Sequence, residues 1–147
     1  MSDDLLLNLH RTALRLLARR EHTRVELQRK LMQKCPDASS TEIKTVLDAL
    51  AAENSLSEER FTGAYIRMRV ARGFGPLRIL SELNERGIAA ECATPHFAEI
   101  DWIDCAVLTR EKRFGKTLPM DLTERSQQMR FLEYKGFSHE QIRLLFK

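Results

Sequence analysis

Apolar residues return at steps of three and four along almost the whole chain, and the arrangement itself returns about 50 residues later. Ile43, Val46, Leu47, Leu50 and Ala51 form one such stripe, and Phe61, Ala64, Tyr65 and Met68 another. Ile142, Leu145 and Phe146 close the chain in the same way. This is the spacing of a helix that buries one face. No segment sustains the period-two alternation of a half-buried strand, and no Asn-Gly or Asp-Gly pair marks a hairpin. The pattern predicts an all-α protein.

Helix starts are written into the sequence. Thr23 with Glu26, Ser39 with Glu42 and Ser138 with Gln141 have the spacing of capping boxes. In a capping box the first side chain accepts from an early backbone N–H and the fourth residue reaches back. Asp121 with Glu124 is a weaker relative, and Ser57 is followed by two acids that suit a helix N-terminus. Gly73, Gly115 and Gly136 sit just beyond apolar stripes, where a helix ends in a left-handed residue. In "VARGFGPLRILSELNERGI" (residues 70–88), Gly75-Pro76 restarts a helix directly after Gly73, since Pro at the first helical position loses no hydrogen bond. Gly73, Gly75, Pro76, Gly87 and Gly136 are therefore expected to shape turns. The Gly-x-Gly pair is a poor phosphate loop, because no strand precedes it and no Gly-Lys-Ser/Thr follows.

The helices repeat. A shift of 52 aligns Leu9 with Phe61, Arg15 with Arg67, Arg20 with Arg72, Leu27 with Ile79, Leu31 with Leu83 and Lys34 with Arg86. A shift of 49 aligns Leu83 with Leu132, Arg86 with Lys135, Gly87 with Gly136 and Ile88 with Phe137. A third first helix aligns at a shift of 41, pairing Phe61 with Trp102 and Arg72 with Arg113, and the difference is taken up around "GKTLPMDL". Three tandem three-helix repeats are expected, over residues 1–56, 57–100 and 101–147. Such units bury little core alone and gain stability by stacking, which predicts an elongated, curved repeat protein.

Charge follows the repeat. The net charge of +3 hides alternating blocks: residues 11–34 hold eight basic and two acidic side chains, residues 37–59 one and six. Residues 60–86 then hold six arginines against two glutamates, and residues 91–104 four acids and no lysine or arginine. The surface should carry separate fields of each sign. The three cysteines, Cys35, Cys92 and Cys105, have no metal-binding spacing, and with no secretory leader they read as reduced thiols of a cytoplasmic protein. No apolar run approaches the ~20 residues of a membrane span. The four histidines are scattered without ligand spacing. No catalytic set, cofactor loop or metal motif emerges.

The segment "LSEERFTGAYIRMRVARGFGPLRILSELNERGI" resembles the signature of the RecX family, regulators of the RecA recombinase. Arg60, Phe61, Tyr65, Arg69, Gly73, Gly75, Pro76, Arg78, Ile79, Glu82, Leu83, Gly87 and Ile88 carry the likeness, with "IDW" at residues 100–102 and "RFLEYKGF" at residues 130–137. The resemblance implies a non-enzymatic protein of tandem three-helix repeats, and a monomer is expected. It implies binding of RecA, as filament or as monomer, along the groove of the RecA–DNA filament. It further implies suppression of ATP hydrolysis, strand exchange and filament growth in recombination, DNA repair and the SOS response. Weak contacts to single- or double-stranded DNA are compatible with it. "AAECATPHFAEI" departs from the pattern: Pro95 either starts the third helix of the middle repeat or breaks it.

Taking about 100° per residue, Arg67 lies opposite the Phe61/Tyr65/Met68 stripe, Arg69 at its edge, and Arg72 back in line with the core as a structural residue. Arg78 lies opposite a Leu77/Leu80/Leu83 stripe and Arg86 flanks it. Arg67, Arg69, Arg78 and Arg86, with Arg15, Lys34, Arg113, Lys116, Arg130 and Lys135, are the candidates for binding protein or nucleic acid. Trp102, Tyr65 and Phe61 read as core. Two alternatives stand beside the filament regulator: a non-specific, helix-turn-helix-like DNA-binding protein, and a helical adaptor for another protein.

Overall fold

A computed structural model of the chain describes residues 3–146; Met1 and Ser2 of the acidic start, and Lys147 of the last expected repeat, lie outside the described residues. The described residues form nine α-helices and no strand. They are α1 (Asp3–Arg19), α2 (Arg24–Lys34), α3 (Ser40–Ala52), α4 (Glu58–Ala71), α5 (Pro76–Glu85), α6 (Ala90–Ala98), α7 (Trp102–Phe114), α8 (Leu122–Lys135) and α9 (His139–Leu145). The chain is all-α and built of three successive three-helix sets.

The expected caps form. Thr23 Oγ1 accepts from Glu26 N at 3.1 Å while Thr23 N donates to Glu26 Oε1 at 3.1 Å, and Ser39/Glu42 and Ser138/Gln141 do the same. Ser57 caps α4 through Arg60 N, and Asp121 caps α8 through Glu124 N. Each box satisfies backbone donors that the helix leaves open, which places helix starts within a residue or two of the sequence expectation.

The chain divides into two compact units. The first takes the chain as far as Thr62 together with Arg86–Ile88; the second takes Gly63–Glu85 and the chain from Ala89 onward. In the first, α1, α2 and α3 pack against one another over Leu9, Ala13, Leu27, Leu31, Ile43, Val46, Leu47 and Leu50. In the second, α7, α8 and α9 close on Ala106, Leu132, Phe137, Ile142 and Phe146, with Trp102 and Phe131 at the margin, and α5 packs on α6. Trp102 is core-associated as expected, edge-on to Phe97 at 5.1 Å.

Four expectations are corrected. The stripe on α4 is rotated: Phe61, Thr62, Gly63 and Ile66 are buried while Ala64 and Met68 are exposed. Thr62 buries at no cost in lost hydrogen bonding because its hydroxyl donates to Glu58 O at 2.7 Å. A purely apolar count misses it and turns the helix the wrong way. On α5 the buried line is Pro76, Ile79 and Leu83, with Leu77 57% exposed, and on α3 Ala51 is exposed. Pro95 neither starts nor breaks a helix: it lies inside α6. Its ring is on the exposed side, so the carbonyl it leaves unbonded stays on the hydrated face.

Candidate functional site

The turn between α4 and α5 organises the second unit. Gly73 has φ +86°, which ends α4 and turns the chain. Two residues on, Gly75 N donates to Lys135 O at 2.7 Å and Leu77 N donates to Gly136 O at 2.9 Å. A Cβ on Gly75 would lie 2.6 Å from the carbonyl carbon and oxygen of Gly136, and one on Gly136 would meet Arg78 N at 2.7 Å. The turn is thus pressed, backbone against backbone, on the C-terminal end of α8. The first unit holds a parallel arrangement, where Gly87 (φ +83°) lies against Val25 at the start of α2. The shift that aligns Gly87 with Gly136 therefore aligns two close approaches.

Side chains lock this turn. Glu82 receives Arg69 in a two-pronged pair (Nε 2.8 Å, Nη2 2.7 Å), the hydroxyl of Tyr65 at 2.9 Å, and Arg78 Nε at 3.3 Å. Burial pushes the Glu82 carboxyl up, but the hydrogen bonds from Arg69 and Tyr65 outweigh it and hold the group below the usual glutamate value. Arg78 Nη1 also donates to Tyr134 O at 3.1 Å. Above the Phe74 ring stand Arg69 at 3.8 Å, Arg78 at 4.6 Å and the Lys135 ammonium at 3.8 Å. The ring quadrupole attracts each cation. Burial, then Arg78 and Arg69, push Lys135 below the usual lysine value.

The candidate cations therefore do not share one environment. Arg69, with 13% of its side chain exposed, and Arg78 hold the fold from within, and Arg86 faces Glu26 at 3.8 Å in the first unit. Lys135 is half-buried and donates to Arg72 O at 3.3 Å. Arg72, read as structural, is instead exposed, a consequence of the rotated α4 face. Arg15 and Lys34 in the first unit, and Arg67, Arg113, Lys116 and Arg130 in the second, are all exposed. Arg15 and Lys34 share a groove of about 480 Å³ with Arg19. Arg113 and Lys135 share another with Arg72 and Lys112, of about 550 Å³. Arg72, Lys112 and Arg19 are thus basic residues beyond the candidate set. Lys112, beside Arg113, was visible as a doublet; Arg72 was hidden by the wrong helical phase.

Chemically, grooves lined by several cations attract anions. Cys35, Cys92 and Cys105 are free thiols, and burial pushes the Cys105 thiol up, away from the reactive thiolate. Among the described residues, no group of three or more His, Cys, Asp or Glu is placed to hold a metal ion, and no helix is long and apolar enough to cross a membrane.

Comparison with known proteins places this geometry. Family models for the first, second and third three-helix domains of RecX match residues 10–50, 57–94 and 99–145. A regulatory protein RecX of Halorhodospira halophila is 46% identical over 133 residues, covering 89% of this chain and 81% of its own. One from Pseudomonas fluorescens is 43% identical over 141 residues, covering 95% and 90%. The crystal structure of RecX from Lactobacillus salivarius superposes with a TM-score of 0.83 at 21% identity, over 97% of this chain and 95% of the other. A second crystal structure of a regulatory protein RecX gives 0.79 at 18% identity, over 96% and 72%.

Proposed function

The chain belongs to the RecX family of regulatory proteins, and from that premise we propose that it regulates the RecA recombinase, mainly as an inhibitor. In this reading it is a non-enzymatic cytoplasmic monomer that lies along the groove of the RecA–DNA filament. It bridges neighbouring subunits and resists the movements that couple ATP hydrolysis to strand exchange, or blocks addition of the next subunit. Recombination, DNA repair and the SOS response are restrained as a result. The observation that carries the reading is the likeness to regulatory RecX proteins over 89–95% of the chain. The exposed cations Arg15, Lys34, Arg67, Arg113, Lys116 and Arg130 support it, because cations on an outer face attract phosphate or carboxylate and steer encounter. The boundaries 1–56, 57–100 and 101–147 are the repeats we assign to this function.

The test is ATP hydrolysis by RecA on single-stranded DNA, with and without this protein. Inhibition of hydrolysis is expected. An unchanged rate, with DNA binding intact, would move the chain to the plain DNA-binding alternative; an unchanged rate without DNA binding would leave the adaptor.

A further inference from the structure

In the second unit, the groove of about 550 Å³ between the end of α4, α7 and α8 combines two properties on one surface. Its rim is cationic, formed by Arg72, Lys112, Arg113 and Lys135, and no carboxylate lines it. Its floor is apolar, with Leu108 59% exposed to solvent and Phe131 half-buried beside it. An exposed Leu is unremarkable alone. Arg72, Lys112 and Arg113 lining one groove with an exposed Leu point to a ligand with both characters.

The aromatic floor discriminates between anionic ligands. Single-stranded nucleic acid is held by bases stacked on open aromatic faces along a basic track. Here Phe131 meets Phe114 edge-on at 5.3 Å, with Arg113 over its ring at 5.4 Å and Lys135 at 5.8 Å. The ring is already engaged, and the surface left open is the aliphatic Leu108. We propose that this groove docks a segment of a partner protein in which carboxylates flank an aliphatic side chain, the apolar group on Leu108 and the carboxylates on Arg72, Lys112 and Arg113. Lys135 is turned to Phe74 and Arg72 O, so it adds field and little direct contact. The inference rests on the reading of the chain as a partner-binding regulator and names the ligand chemistry of one of its surfaces.

The test uses the full chain and a fluorescein-labelled peptide, Glu-Asp-Leu-Glu-Asp, followed by anisotropy. Companion peptides replace the central Leu by Ala, or every acid by its amide. The acidic Leu peptide should bind, the Ala peptide about tenfold more weakly, as one buried aliphatic side chain predicts, and the amide peptide not measurably. Binding should shift the methyl NMR signals of Leu108. It should fall at least tenfold in Lys112→Glu with Arg113→Glu, whose helicity is checked by circular dichroism. In Leu108→Ser, a surface change, the preference for Leu over Ala should vanish. No binding of the acidic peptide, indifference to the central residue, or full binding by the double variant overturns the proposal. So does a 12-nucleotide oligothymidylate that shifts Leu108 at lower concentration than the peptide. The recombinase assay separates the two claims. Inhibition by wild type with failed peptides removes the groove alone, and peptide binding without inhibition removes the regulator reading alone.

Discussion

Arg67 and Arg69 lie two positions apart on α4 and have opposite fates. Arg67 is exposed; Arg69 is drawn in to Glu82, whose side chain is 17% exposed. Truncating Arg69 removes a two-pronged, part-buried pair and leaves Glu82 under-compensated. Arg69→Ala is expected to cost about 2–3 kcal/mol, read from urea denaturation, against less than about 0.5 kcal/mol for Arg67→Ala. Equal costs would show that the pair contributes nothing in solution. The same carboxylate sets a pH dependence. Its folded value is depressed, so the stability it contributes is full above the ordinary glutamate range and disappears as pH falls through the lowered value. Between about pH 5 and pH 3, wild type should lose more melting temperature than Glu82→Gln. Parallel melting curves for the two proteins would exclude Glu82 as a source of acid sensitivity.

At the scale of elements, turns decide the packing. Gly73 and Gly75 look alike in the sequence, yet they are needed for different reasons. Gly73 is needed for its positive φ, and the nearest obstacle to a Cβ is the Thr109 hydroxyl at 3.1 Å, a side chain that can yield. Gly75 is needed for space against the Gly136 backbone at 2.6 Å, which cannot yield. Gly73→Ala should cost about 1–2 kcal/mol of left-handed strain. Gly75→Ala should cost more and also detach the α8 end from the turn. Amide hydrogen exchange reports this directly. In Gly75→Ala, Leu77 N and Gly75 N should lose protection while α1–α3 remain protected; unchanged exchange at Leu77 would refute the close-approach role.

For the whole molecule, the exposed cations are the ones to reverse. A set including Arg69 and Arg78 would place new acids beside Glu82 and unsettle the fold, so loss of function would be uninterpretable. Arg15→Glu, Arg67→Glu and Arg130→Glu together should preserve helicity and abolish inhibition of recombinase ATP hydrolysis, because attraction to phosphate or carboxylate becomes repulsion. Glu85→Lys with Glu99→Lys is the control on acidic positions. Both acids are exposed near helix C-termini, where a cation is tolerated, and inhibition should stay near wild type. A triple variant that inhibits normally would reduce these cations to an ordinary solvated face. If single strands are also bound, log affinity should fall with log salt by about 0.7 per phosphate neutralised; affinity indifferent to salt would rule out phosphate contacts by these residues.

The sequence by itself determined what depends on near neighbours. Helical period, capping boxes such as Thr23/Glu26, the turn glycines and the repeat all rest on interactions within a few residues, and the RecX likeness rests on their order. Tertiary structure alone decided which way each helix faces and where each arginine goes. Thr62 turned α4 because a polar residue can be buried once its hydroxyl is bonded, and no apolar count sees that. Arg69 finds its carboxylate 13 residues away and Arg78 finds the Tyr134 carbonyl 56 residues away. The candidate surface is therefore only half legible in the chain. A free cation and a structural one have the same side chain, and they differ only in whether folding brings an acceptor within about 3 Å.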